Sequence, residues 1–203
     1  MTPVPSVWFR LPPGFHDIAS DDRDSLDGVA EALASPDAQE ELSRLMDGLD
    51  ELEGHGVVHT AIGLHPEEPT GVATSLFSLT IRPAAQTNPR LTVARAALGI
   101  ARSPLWINST RKFIELESGL PCSLVAGIIT LPGVEHQLFQ ARIATAHPDG
   151  LHLLVLDLTS ASAQYADAYT EILEAVAHTI RFSDPNPNPA TAKGTSRISE
   201  VLL

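Results

Sequence analysis

Cysteine is nearly missing from this chain. The single Cys122 excludes an internal disulfide and any paired-cysteine zinc site, and it fits a reducing compartment. Long apolar runs are missing too, since none approaches the roughly 20 residues that span a bilayer. The opening Met1-Thr-Pro-Val-Pro-Ser-Val-Trp8 has neither a basic stretch nor an apolar core, so it is not expected to act as a secretion signal. A cytoplasmic protein is the expectation, with leaderless export as the other route. Lysine is scarce, at 2 against 11 arginines. With the many Ala and Pro residues, this composition points to a high-GC bacterium.

The familiar catalytic signatures are also lacking. There is no phosphate-binding glycine loop, no Gly-x-Gly-x-x-Gly after a strand, no His-Glu-x-x-His and no Gly-x-Ser-x-Gly. Glu115 and Glu117 would share one strand face, where exposed edge carboxylates are the expectation. Cys122 follows Pro121 with no neighbouring cation to lower its pKa, so an inert buried thiol is expected. His55, His59 and His65 lie close in sequence, and His147 and His152 flank a Pro-Asp-Gly turn with Asp149 at its tip. Imidazoles across a hairpin can chelate a divalent ion, but this spacing matches no strong template. No metal, nucleotide or other cofactor is expected.

What is present is ordinary globular composition, 43% apolar and 19% charged over 203 residues, enough for one domain. The charge is uneven. Residues 1–70 hold 15 Asp/Glu against 3 Lys/Arg, and residues 71–203 hold 10 of each, so the whole net charge of −12 sits in the first third. Such a field repels nucleic acid and anionic membranes and favours a protein partner with a basic surface.

Periodicity divides the chain further. Val7–Leu11 reads as a short strand stopped by Pro12-Pro13-Gly14. Leu26, Val29, Ala30 and Leu33, then Leu42, Leu45, Met46, Leu49 and Leu52, are spaced as two helical stripes. They predict an acidic helical pair over about 24–53, whose residues Glu40, Glu41, Asp47, Asp50, Glu51 and Glu53 are candidate partner contacts. Short strands follow over 57–64 and 72–81, joined by a loop from Pro66 to Gly71. Asn88-Pro89 predicts the start of a helix with a stripe of Leu91, Ala94, Leu98 and Ala101.

Four strands at meander spacing come next, near 105–117, 120–131, 136–146 and 151–159. The last is apolar on both alternations, which places it at the centre of a sheet with layers above and below. Ser162 can cap a final helix with Tyr165, Ala168, Tyr169, Ile172, Leu173 and Val176 on one face. Leu105-Trp106-Ile107 is an apolar triplet after Pro104, and Trp106 is a further candidate partner contact. From Asp184 the Pro-Asn repeats predict a flexible tail over 184–203, leaving one domain over 1–183.

The opening Trp8-Phe9-Arg10-Leu11-Pro12-Pro13-Gly14-Phe15, the meander from about 105 to 159 and the closing Tyr169–Phe182 together resemble the PsbP-like family, over roughly residues 5–183. That resemblance implies an α+β fold, a central antiparallel sheet sandwiched between helical layers (α/β/α), to which this chain would add the acidic helical pair. It also implies a mostly non-enzymatic role. The expected function is a protein-binding or adaptor module, such as a chaperone, immunity or secretion-accessory protein. The competing reading is a small enzyme with its pocket between the sheet and the acidic helices.

Overall fold

The computed structural model describes residues 5–18, 55–67, 71–85, 87–131 and 136–183. They build one antiparallel sheet of seven strands: β1 (Phe15–Ile18), β2 (Val57–Glu67), β3 (Gly71–Pro83), β4 (Trp106–Glu115), β5 (Pro121–Ile129), β6 (Leu138–Ala146) and β7 (His152–Ser160). The spatial order is β1-β2-β3-β7-β6-β5-β4. Two meanders are joined where β7 returns to pair with β3, Leu156 opposite Leu79. Among the described residues there are two α-helices, α1 (Pro89–Ala101) and α2 (Ala166–His178).

Side chains alternate along each strand, so each face of the sheet has its own residue set. One face carries Phe77, Leu79, Leu124, Phe139, Ile143, Leu154, Leu156 and Leu158, all buried in one cluster with Tyr169, Leu173 and Val176 of α2. The opposite face carries Val125, Ile129, Ala144 and Ala146, buried where α1 lies across β5 and β6. β7, fourth of the seven, sits at the centre.

The expected sandwich is not what forms. Sheet dominates, and the two described helices pack mainly on the β4–β7 half of the sheet, with Tyr169 of α2 reaching His65 of β2. The reason lies in β7 itself. Its second face, Leu153, Val155, Asp157 and Thr159, is only half-buried and becomes polar toward its end. Arg142 on β6 pairs there with Asp157, and Gln140 donates to the Thr159 hydroxyl at 3.1 Å. A face with that chemistry does not need a continuous apolar helical layer. The acidic helical pair expected over 24–53 and the tail expected over 184–203 lie outside the described residues.

Smaller expectations shift as well. Val7–Leu11 is not a strand: Trp8 makes one isolated bridge to Arg181, while Val7, Phe9 and Leu11 pack on the core. The first strand forms after Gly14, whose φ of +93° turns the chain into β1. Pro66 lies inside β2 rather than in a loop. Ser162 caps nothing with its side chain, and its own amide donates to Ser160 Oγ at 3.0 Å.

Asn88 does cap α1, its Oδ1 accepting from the amides of Arg90 (3.0 Å) and Leu91 (3.3 Å), with Pro89 in the first turn. The face of α1, however, differs from expectation. Thr92 and Val93 are buried, whereas Leu91 and Leu98 are exposed. The helix meets the face that carries Val125, Ile129, Ala144 and Ala146 through Thr92 and Val93 rather than through the leucines.

At the sheet edge β4 bulges between Trp106 and Asn108, and its backbone crosses close over Gly127 of β5. A Cβ on Gly127 would sit 2.1 Å from the Asn108 carbonyl oxygen. Gly127→Ala should therefore cost about 2 kcal/mol, in the range of overpacked cores. Urea denaturation measures this, and an unchanged midpoint would contradict the close approach.

Candidate functional site

Trp106, the one expected partner contact among the described residues, is half-buried. Its indole N–H donates to the Ile100 carbonyl at 2.8 Å, and Arg111 reaches the Ala101 carbonyl at 3.4 Å. Both close the last turn of α1, where unpaired carbonyls collect partial negative charge. Glu40, Glu41, Asp47, Asp50, Glu51 and Glu53 lie outside the described residues.

Around Trp106 the structure assembles a surface that the sequence reading missed. α1 runs from the β4–β5 turn, where Thr87, Asn88, Pro89 and Arg90 meet Gly119, Leu120 and Pro121, to the start of β4. Leu91, Arg95, Leu98 and Arg102 fall at i, i+4, i+7 and i+11, one stripe along its outer side, and all four are exposed. Phe113 lies on the same side of β4 as Arg111 and is 71% exposed. Ile107, the extra residue of the bulge, is 51% exposed, and Leu98 and Leu91 are 50% and 46% exposed. Single exposed apolar residues are common, and here four large ones lie on one helix and its adjoining strand.

The stretch of chain that contains α1 is basic. From Pro69 to Ile114 the sequence has no carboxylate and six cations: Arg82, Arg90, Arg95, Arg102, Arg111 and Lys112. Of these, Lys112 is engaged by Glu174 at 2.8 Å on the opposite face. Arg90, Arg95 and Arg102 make no ion pair with any described residue. That acid-free stretch was the legible signal, and a tally over 71–203 averages it to zero.

The histidines separate into two environments. His59 lies between Phe9 and Phe77, with ring centroids at 5.1 and 6.1 Å; burial pulls its imidazole below the usual value, against Asp17 at 3.4 Å. His65 packs on Phe15 and Tyr169 and meets Ser75 Oγ at 3.3 Å. Ser75 is buried and no described carboxylate stands behind that imidazole, so the contact lacks the third member and the open side of a nucleophilic site.

His147 and His152 instead converge across the β6–β7 turn on Asp149. His147 Nδ1 lies 3.0 Å from Oδ1 and His152 Nδ1 lies 3.1 Å from Oδ2. Burial alone would raise the Asp149 carboxyl; the Leu151 amide and the two imidazoles outweigh it and hold the group below its ordinary value.

Other chemistry is muted. Cys122 is fully buried, and desolvation, with Glu174 adding to it, pushes its thiol up to about 12. A shallow depression of about 540 Å³ at the start of α1 is lined by Thr87, Asn88, Pro89, Arg90, Gly119, Leu120 and Pro121. It offers one cation and no acid, imidazole or thiol. No described helix is long and apolar enough to cross a membrane.

No family model matches the sequence, and no curated protein matches it either. Among solved structures the chain is similar to LpqN of Mycobacterium tuberculosis, described as involved in cell envelope biogenesis. The match has a TM-score of 0.50 and 11% identity, covering 89% of this chain and 84% of that one. At such identity the likeness is one of fold.

Proposed function

We propose that this protein is a non-catalytic protein-binding module whose docking face is the outer side of α1 with the adjoining part of β4. One observation carries the reading: α1 turns its leucines to solvent, in a stripe that alternates with arginines, instead of burying them. The matching occupant is an acidic amphipathic helix of another protein. Its apolar residues would cover Leu91, Leu98 and Phe113, and its carboxylates would meet Arg95 and Arg102. The bulge and the cations Arg111 and Lys112 disfavour strand addition at the free edge of β4, which leaves the face as the docking element.

The acidic segment with Glu40, Glu41, Asp47, Asp50, Glu51 and Glu53 is a separate proposed contact, for a basic partner. A non-catalytic role is compatible with the envelope role described for LpqN, though fold likeness alone transfers no function.

A photocrosslinking residue placed at Phe113 in the full chain, in its native cell, tests the docking face. The expected product is a crosslink to an acid-rich peptide of a different protein, lost when Leu98→Asp is added. No crosslink, a crosslink to basic peptides, or one that survives Leu98→Asp would reject the face. A crosslink to a second copy would replace the proposed partner with self-association.

A further inference from the structure

The β6–β7 turn was expected to be a plain hairpin tip, and its geometry points to more. We propose that His147, Asp149 and His152 form a binding site for a divalent first-row ion of the zinc type. This inference is independent of the docking face.

The donor atoms already converge. Both imidazoles aim Nδ1 at the same carboxylate, one at each oxygen, and the three ligand atoms lie within 4.8 Å of one another. Bonds of about 2.1 Å to a tetrahedral ion would place neighbouring ligand atoms about 3.4 Å apart. The observed 3.0 and 3.1 Å, each to a different oxygen of the carboxylate, are close to that spacing, and the remaining ligand pair lies within 4.8 Å. Two imidazoles and a carboxylate are a donor set suited to zinc and its neighbours rather than to magnesium or calcium. Asp149 is one third exposed, so a fourth position opens to solvent, available to water or to a partner's side chain.

The contacts at His147 show a conflict that hydrogen bonds alone leave unresolved. The Asp149 amide points at Nδ1 from 3.2 Å, which asks for a lone pair, and Asp149 Oδ1 lies at 3.0 Å from the same nitrogen, which asks for a proton. One imidazole nitrogen cannot be acceptor and donor together. If the ring accepts from the amide, nitrogen and carboxylate oxygen face each other lone pair to lone pair. An ion shared by both Nδ1 atoms and the carboxylate would take that one lone pair in place of the Asp149 amide and turn the repulsion between nitrogen and carboxylate into attraction.

The turn is also held ready. Gly150 has φ +70°, and a Cβ there would lie 2.1 Å from the Thr87 carbonyl oxygen, so the tip is seated against the entry to α1. The Leu151 amide donates to Asp149 Oδ1 at 2.7 Å, and Phe182 packs edge-on to His147 with centroids 4.7 Å apart. Little ordering remains to be done when an ion arrives.

The test uses the full chain, stripped with chelator and titrated with zinc, with cobalt as the spectroscopic stand-in. One equivalent of zinc should bind and raise the melting temperature, and cobalt should give the intense visible bands of a four-coordinate site. Asp149→Asn and His152→Gln should each weaken zinc at least tenfold and abolish the cobalt bands. Asp149→Asn keeps a side-chain oxygen for the Leu151 amide, so it remains decisive if His152→Gln does not fold. Absence of zinc binding overturns the site, and so does binding that Asp149→Asn leaves unchanged, including binding that instead depends on His55, His59 or His65.

Discussion

Arg142→Met should lower the stability of this protein by about 3 kcal/mol at pH 7, and much of that loss should disappear at acidic pH. Asp157 stands near the middle of the central strand, with its side chain 13% exposed, and its ion pair with Arg142 crosses from β7 to β6. Burial pushes the Asp157 carboxyl above its ordinary value, while Arg142 and, more weakly, Arg82 pull it down. Breaking one side of a buried pair strands the other charge, at a cost of roughly 3–5 kcal/mol. Arg142 is about one third exposed, so the lower end applies.

Methionine keeps the apolar stem and removes the charge, which raises the folded pKa of Asp157 further. A folded pKa above the unfolded one means that the native state holds the proton more tightly. The deficit is therefore full above that folded value and shrinks as pH falls through it toward the unfolded one. Urea denaturation of both proteins at pH 7 and pH 4.5 measures the difference. An equal deficit at the two pH values would show that lost packing, not a stranded carboxylate, is responsible.

Leu156→Ala should be as damaging for a different reason. Leu156 is fully buried, paired with Leu79 on one side and Ile143 on the other, in the cluster that α2 covers. Removing it leaves a cavity with packed walls, worth about 3 kcal/mol in comparable cores. For a domain of this size the melting temperature should fall by roughly 6–12 °C. Val155→Ala, one residue earlier and half-buried on the opposite face, should cost about 1 kcal/mol or less. Similar losses at the two positions would mean that both faces of β7 are equally packed, contrary to the one-sided cluster seen here.

What could be read from the sequence was local. The Asn88-Pro89 cap, the His147–Gly150 turn and the four consecutive strands after Pro104 depend on neighbours in the chain, and they form where periodicity and turn chemistry place them. The central place of β7 was legible because its leucines and valine occupy both alternations. The pairing of β3 with β7 was not, because the two strands are some 70 residues apart and no local rule chooses between partners.

The face of α1 was misread for a related reason. Periodicity assigns the leucines to the core, but which side of the helix meets the sheet is set by β5 and β6, strands distant in sequence. Arg142 and Asp157 become a pair only through the β6–β7 register, which also brings His147, Asp149 and His152 together. Those three residues stand out in the sequence, but their convergence depends on that register. β1 was missed because Trp8-Phe9-Arg10-Leu11 has the stronger strand propensity, yet these residues spend it on packing rather than on a ladder.

Docking through α1 should show itself in the affinity for the purified crosslinked partner. Titrations would compare the wild-type chain with Leu98→Asp/Phe113→Asp, and with Val58→Asp as a control at another exposed apolar position on β2. All three proteins should melt within a few degrees of one another, because these side chains face solvent. The double variant should bind at least a hundredfold more weakly, and wild-type binding should weaken steeply between low and moderate salt as Arg95 and Arg102 are screened. Affinity unchanged by the double variant, or lost equally in Val58→Asp, would show that the partner docks elsewhere.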